Sequence, residues 1–393
     1  MATTRLIKGE YPIPPVAIPQ ESNLLIEFHH PAYPVRYSTF LSLPRVDPAP
    51  HGGNGPKSGV SHSIALLACQ LIADNSFGGR LFLDREGREG VVVGADGILL
   101  ADHYYFIADT NNPKSKYPIV PSFRDWQFPH GQVPASWPEP SATSAPRSAA
   151  DGQSRCSLSN HCMGLKSAHL VPKEEADWAS RESMGRYGAH PITNIHNRSK
   201  NTLPLRADIH KCFDLQREFA IVPKREIYGP AAQNSQRRYV VHCLGNDSPE
   251  FWGLYQNVPL QYIGHLSKEA LLARFAWAVI LDVKPFLLQG PARNIVRCNV
   301  GGQQEAREMT IAELTELYGG GGSMAATRLP SRERKRPRVE GEGADSFGDS
   351  EVMSGDESDT EQELRGRRGF SEQLEDKLLS ARFERGEPTE LSY

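Results

Sequence analysis

The segment from Cys156 to Pro223 constrains this chain more than any other, and its densest part reads Asn201-Thr-Leu-Pro-Leu-Arg-Ala-Asp-Ile-His210-Lys-Cys-Phe-Asp214. His210 and Asp214 stand four positions apart, so a helix through them sends both side chains from one face a turn apart, as two donors to one cation require. Pro204 suits the first turn of that helix, and Leu205, Ile209, Cys212 and Phe213 supply an apolar face on which it packs. Upstream, Ala168-His169-Leu170-Val171-Pro172 is a short apolar run holding one imidazole, which is how a strand carrying a catalytic base reads. Phe219–Val222 and Arg238–Leu244 follow as further strands. A strand His, a loop Asn and a helical His with its carboxylate form a set that can bring an imidazole and a cation to one phosphate.

At these residues the chain resembles the HNH endonuclease domain proteins found in fungi. The string Cys156…Ala-His169-Leu-Val-Pro…Asn201-x-Leu-Pro-Leu-x-x-Asp-x-His210-x-x-Phe-Asp214, closing on Phe219-Ala-Ile-Val-Pro223, follows their pattern. Val60–Asn75 is similar to the segment those proteins carry ahead of the nuclease module, so the resemblance spans Leu24 to Gln289. It implies a ββα-metal site with His169 as general base and with His210 and Asp214 holding one divalent ion, Mg²⁺ or Mn²⁺, with Zn²⁺ as the alternative. Asn201 is then either a ligand through its amide oxygen or the tie that orients His169. Ala168 departs from many HNH sites, in which the residue before the base is a metal-binding Asp. Asp208 is a spare carboxylate that helix geometry points elsewhere.

The implied activity is hydrolysis of DNA phosphodiester bonds with low sequence specificity, with Arg198, Lys200, Arg206 and Lys211 as the basic residues that meet the backbone. Two other functions fit the same residues. One is a weak or inactive HNH-fold nuclear protein that binds DNA and partners. The other is a modification-dependent enzyme whose N-terminal part reads altered bases.

With 393 residues, 30 prolines and 34 glycines, the expected fold class is α+β, a globular centre with flexible flanks. Residues 1–23 are Pro-rich and read as a flexible N-terminus. An N-terminal module over 24–128 combines a strand at Leu24–Phe28, a helix capped by Ser61 and stopping at Asp74-Asn75, and a small antiparallel sheet from Arg80–Leu83, Val91–Val93 and Gly97–Leu100. His103, after Asp102, is read as an ordinary strand histidine. Residues 129–153 are Pro-, Ser- and Ala-rich and read as a linker to a nuclease-like domain over 154–290. Within that domain the polar stretch between His169 and Asn201, with Arg181, Arg186, His190, His196, Arg198 and Lys200, is expected to be a long loop facing phosphates or solvent. An added helix starts at a Ser267 cap and is limited by Pro285. Its apolar run Leu271–Val283 is interrupted by Arg274 and falls short of the roughly 20 residues a membrane span needs, so it reads as buried.

Residues 291–318 are a connecting segment, and 319–393 read as a disordered tail. Arg334, Lys335, Arg336 and Arg338 form a basic cluster of the nuclear-import type, which places the chain in the nucleus, or else the cytoplasm, and implies an import receptor. Ser354, Ser358 and Thr360 lie in acidic surroundings that suit an acidophilic kinase. A weak helix is expected over Ser371–Arg385. The net charge of -3 gives no overall pull toward nucleic acid, so any attraction is local. Six cysteines in a chain of this length, without a charged-then-apolar leader, fit a reducing compartment rather than a secreted scaffold. Cys156 and Cys162, with His161 between them, lack the paired spacing of a zinc site, and the thiols are read as free.

Overall fold

A computed structural model describes residues 24–49, 58–140, 154–188, 199–214, 217–225, 236–245, 249–299 and 302–319. The chain divides into compact units of residues 1–316 and 317–393. The basic cluster at 334–338, the acidic phosphorylation sites and the Ser371–Arg385 helix lie outside the described residues, as do the N-terminus to residue 23 and Arg198.

The first unit is α+β. Strands β1 (Leu25–His29), β2 (Thr39–Pro44), β3 (Asp47–Pro48) and β4 (Ser58–Ser61) lead into α1 (His62–Ile72), followed by β5 (Arg80–Phe82), β6 (Ile98–Leu99) and β7 (His103–Ile107). A sheet in the order β2-β1-β7-β5 forms one layer, and β3-β4-β6 forms a second. β1 runs parallel to β7, so the expected all-antiparallel sheet is mixed. Val91–Val93 is not a strand, and Val92 is 97% exposed in a turn-rich loop. Three consecutive β-branched residues favour a strand only where one face is covered, and here Val92 and Val93 are both exposed. Helix α1 follows Ser61 as expected, but the Ser61 side chain makes no capping bond. Asp74 and Asn75 then take positive φ and stop it.

Downstream come β8 (Leu165–His169), α2 (Ala176–Arg181), β9 (Thr202–Arg206), α3 (Ala207–Asp214), β10 (Phe219–Lys224), β11 (Arg238–Cys243) and α4 (Pro249–Tyr255). The chain continues through α5 (Lys268–Ile280), α6 (Lys284–Leu287), β12 (Arg293–Cys298), β13 (Gln304–Met309) and α7 (Ile311–Tyr318). The span expected to be a connecting segment therefore holds a hairpin, β12 against β13, and Ile119 bridges to Ile295 within it. Pro285 does not end the helical region. It sits in the first turn of α6, where its missing N–H costs nothing.

Helix α5 is the centre of the core. Every residue from Ala270 to Ile280 is buried, and it packs on α1 and on β10, so elements from both halves of the sequence share its surface. A helix apolar on nearly all sides is stable only when surrounded, and this one is. Ser267 caps it by accepting a hydrogen bond from the Ala270 N–H at 3.0 Å. The start of the expected linker is part of the same core: Trp137 is 2% exposed and packs against Tyr239 and Phe275. The expected loop after His169 is likewise helical in part. Trp178 of α2 stacks on Trp126 with centroids 5.7 Å apart and donates from its indole N–H to the Trp126 carbonyl at 2.8 Å. Two aromatic planes buried against each other fix a segment that charge pattern alone reads as solvated.

A buried polar cluster also joins the halves. Lys224 of β10 donates to Asp47 of β3 at 2.6 Å and to Asn257 at 2.9 Å, and its ammonium lies 3.0 Å from His242 Nδ1 on β11. Gln256 donates to the same Asp47 oxygen at 2.9 Å, and the Ser61 N–H donates to the other at 2.8 Å. The charge of a fully buried pair is tolerated because nearly all of its polar valences are met.

Burial pushes His242 and His30 down to about 3. In the folded chain both stay neutral where unfolded histidines, near 6.5, take up protons. A folded value below the unfolded one leaves stability intact above the unfolded value and removes it as pH falls toward the folded one. Between pH 6.5 and 3 the unfolding free energy is therefore expected to fall by about 4 kcal/mol for each of the two histidines, read by denaturant titration at a series of pH values; His30→Gln with His242→Gln should flatten that slope.

Candidate metal and nuclease site

The site is built where β8, β9 and α3 meet. β8 and β9 are antiparallel, with Ala168 opposite Leu203 and His169 opposite Thr202, and α3 packs across both. The helix begins at Ala207 rather than at Pro204, so the expected helical start is corrected: Thr202–Arg206 is a strand. Leu203 and Leu205 alternate inward on it, which is the period of a strand and not of a helix. Pro204 is tolerated because its carbonyl turns away from β8 to accept from the Ser157 N–H at 2.8 Å, so its missing N–H lies on the side that takes no part in the two-stranded ladder. Ile209 and Phe213 are the buried residues of α3, whereas Cys212 is only partly covered. Gly164, at φ +63°, turns the chain into β8, and its carbonyl accepts from the Ala207 N–H at 2.8 Å, pinning the start of the helix to the start of the strand.

Asn201 is fully buried. Its amide oxygen accepts from the Val171 N–H at 2.9 Å and its amide NH₂ donates to the Val171 carbonyl at 3.2 Å. The Asn201 carbonyl in turn accepts from the Leu170 N–H at 2.8 Å. Both ends of the side chain are thus used in a backbone-like pairing just beyond His169, which favours the tie over the ligand of the two roles its position allows. Ala168 is buried with no exposed surface, so a carboxylate there would be driven into the core.

On α3, His210 Nε2 lies 2.7 Å from Asp214 Oδ2. The contact is close but misaligned, since Nε2 makes no directional hydrogen bond although it is buried. The other carboxylate oxygen, Oδ1, is 3.1 Å from Arg274 Nη1 of α5. Arg274 is 1% exposed, lies 3.7 Å above the Phe213 ring, and donates to the Phe213 carbonyl at the end of α3. Burial pushes the Asp214 carboxyl up, and the combined pull of His210, Arg274 and His169 overrides it, holding it below the usual carboxylate range. Burial also brings Arg274 down to about 10 against the opposing pull of Asp214. His169 ends the strand against which α3 packs and adds the smallest of these pulls on Asp214.

Arg274 is the site residue that sequence reasoning missed. Its signal was present, as the lone charge inside the apolar run Leu271–Val283. A guanidinium surrounded by Leu, Phe, Ala and Trp is buried only where its N–H groups find acceptors, here Asp214 and the Phe213 carbonyl.

The basic candidates separate. Lys200 and Lys211 are exposed. Arg206 is engaged by both oxygens of Asp208 at 2.6 Å, which also accounts for that spare carboxylate. Arg181, from the stretch expected to face phosphate, donates instead to Glu182 at 2.9 Å and to the Arg124 carbonyl at 2.7 Å. All six cysteines are free thiols, and Cys156 is buried, its sulfur accepting from the Arg206 N–H at 3.3 Å.

As a metal site the arrangement offers the buried, misaligned His210 Nε2 and a carboxylate oxygen at a separation natural for two ligands of one ion. Among the described residues no group of three or more His, Cys, Asp or Glu converges. The donor set therefore fits a hard cation that keeps water and phosphate oxygens in its remaining positions better than a closed zinc site. Among the described residues no helix is long and apolar enough to cross a membrane.

Residues 151–222 match the HNH endonuclease family. No curated protein and no solved structure matches the chain. The matched span starts just before Cys156 and ends on Val222 of β10, so it encloses the hairpin, the Asn201 tie and the helix that carries His210 and Asp214. Over residues 151–222 the chain therefore carries a segment of the HNH endonuclease type.

Proposed function

We propose that this protein is a metal-dependent endonuclease that hydrolyses DNA phosphodiester bonds with little base readout. One observation carries the reading. His169 ends β8, α3 with its His210–Asp214 pair packs against that strand, and His169 adds to the electrostatic pull on Asp214, with Asn201 holding the chain between β8 and β9.

His169 is the general base. Its strand position sets the imidazole beside the helix, and the tie from Asn201 to Val171 fixes the backbone immediately after it, so that the ring can take a proton from an attacking water. His210 and Asp214 would hold one divalent ion, Mg²⁺ or Mn²⁺, which when bound supplies Lewis-acid stabilisation of the charge growing on the phosphate and the leaving oxygen. Asp214 is kept ionised for this by His210 and Arg274 despite its partial burial. Lys200 and Lys211, exposed near the two ends of the β9–α3 segment, are the residues best placed to meet the phosphate backbone. The second layer of the site is structural: Phe213 and Ile209 seat α3 on the core, and Arg274 closes its C-terminal end.

Purified full-length protein with Mg²⁺ or Mn²⁺ is expected to nick supercoiled plasmid. His169→Ala should lower the rate at least about 100-fold with an unchanged circular-dichroism spectrum, as loss of a general base requires. Equal nicking by both proteins would remove His169 from the role. Asn201→Ala, which leaves the Val171 N–H and carbonyl without partners in the core, should cost about 2–3 kcal/mol of stability in denaturant unfolding. Asn201→Ala with full stability would show that the tie is dispensable.

A further inference from the structure

The charge count around Asp214 is unusual for a residue assigned to hold a divalent cation. One of its two oxygens already faces a permanent cation, the Arg274 guanidinium, at 3.1 Å. That guanidinium cannot swing away: it is 1% exposed, sandwiched with its carbon 3.7 Å from the Phe213 ring and 4.4 Å from the Trp277 ring, and bonded to the Phe213 carbonyl. Arginine does not give up its proton at any working pH, so the positive charge is fixed. The nearest carboxylate and the nearest cation therefore cancel. Beyond them, Arg217 is paired with Asp282 at 3.3 Å, and Glu174 acts on Arg274 from the side of α2. As a ligand, His210 Nε2 adds affinity through its lone pair but brings no negative charge. With no third His, Cys, Asp or Glu converging among the described residues, the protein offers a divalent ion two donors, and the single carboxylate among them is already offset by Arg274.

Resting on the nuclease reading above, we infer that the cation is retained only together with the nucleic-acid backbone, Arg274 being the positioning residue that enforces this dependence. The phosphodiester supplies the missing negative charge and further hard oxygen ligands. Arg274 also fixes Asp214 so that Oδ2 remains on the His210 side, which keeps the two donors ready without making them a tight site. Coupling of this kind is reciprocal: the factor by which a duplex tightens the ion is the factor by which the ion tightens the duplex.

The test uses full-length His169→Ala protein, in which cleavage is blocked, and Mn²⁺ as the probe, with bound ion measured by loss of the free-Mn²⁺ paramagnetic signal. Titrations are run with and without a short DNA duplex, and a duplex-only titration and a His169→Ala/His210→Ala chain define background. The expected result is His210-dependent binding at least about tenfold tighter with the duplex present, and the same factor for duplex affinity measured with and without Mn²⁺. Adding Arg274→Met, which keeps bulk and removes charge, should tighten duplex-free Mn²⁺ binding by about tenfold and shrink the coupling, while Arg274→Lys should preserve it. Equal Mn²⁺ affinity with and without duplex overturns the inference and leaves the metal site standing. Unchanged or weaker duplex-free binding in a folded Arg274→Met chain overturns the role of Arg274. Absence of His210-dependent binding in every arm overturns the metal-site reading itself. If Arg274→Met does not fold, the reciprocal measurement on the His169→Ala chain decides the coupling and Arg274→Lys decides whether charge rather than exact shape sustains it.

Discussion

The pairing of the Asn201 side chain with the backbone of Val171 is the constraint on which the site rests. Between β8 and β9 the chain leaves on an excursion of about thirty residues, far longer than a turn that could set register by itself. An amide fully removed from water has every reason to keep both of its bonds, since losing either leaves a buried polar atom unmet. That pair re-joins the chain right after His169 and right before β9, so the ladder, and with it the distance from strand imidazole to helical pair, follows. The excursion itself is held elsewhere, by Trp178 on Trp126 and by Arg124 reaching Glu175 at 3.3 Å. A segment docked at its middle and tied at both ends can carry a long insertion without loosening the strands beside it.

The core explains why the small hairpin-and-helix unit does not stand alone. Two strands and one eight-residue helix bury too little apolar surface to be stable by themselves. Here α3 is backed by Phe219 of β10 against Phe213, and β10 by α5, which also receives α1 from the other half of the sequence. The cluster of Asp47, Lys224, Asn257, Gln256 and His242 fixes the same junction with polar bonds, whose geometry admits one arrangement where apolar contacts alone would admit several. Arg274 belongs to both descriptions: its stem lies among core side chains and its head group ends at the site, so packing of α5 and placement of Asp214 are one event.

The short-range features were legible. His210 and Asp214 share a helix face because four residues make about one turn, and the contact follows from that spacing. The Ser267 cap, the buried α5 and the strands at Phe219 and Arg238 came from local pattern and held. Errors arose where tertiary partners outvoted local signals. Pro204 looked like a helix start, but alternating burial of Leu203 and Leu205 against the core made it a strand residue. The polar run after His169 looked like a loop, but Trp178 found a buried surface on Trp126. Pro129 onward looked like a linker, but Trp137 found one between Tyr239 and Phe275. In both of these a single tryptophan outweighed a polar neighbourhood, because its area removed from water exceeds the cost of ordering its flanks.

The sequence by itself determined the order of the candidates: which imidazoles, which amide and which carboxylate stand as in an HNH endonuclease domain, with two of them one helical turn apart. It did so because covalent spacing and helix period are local quantities. Only the tertiary structure decided that Asn201 is a tie, that Arg206 faces Asp208, that the N-terminal strands share a core with the site, and that Asp214 already faces the cation of Arg274. Those outcomes depend on which groups from distant segments meet away from water, where an unpaired charge or amide is too costly to leave, and no local pattern encodes that meeting.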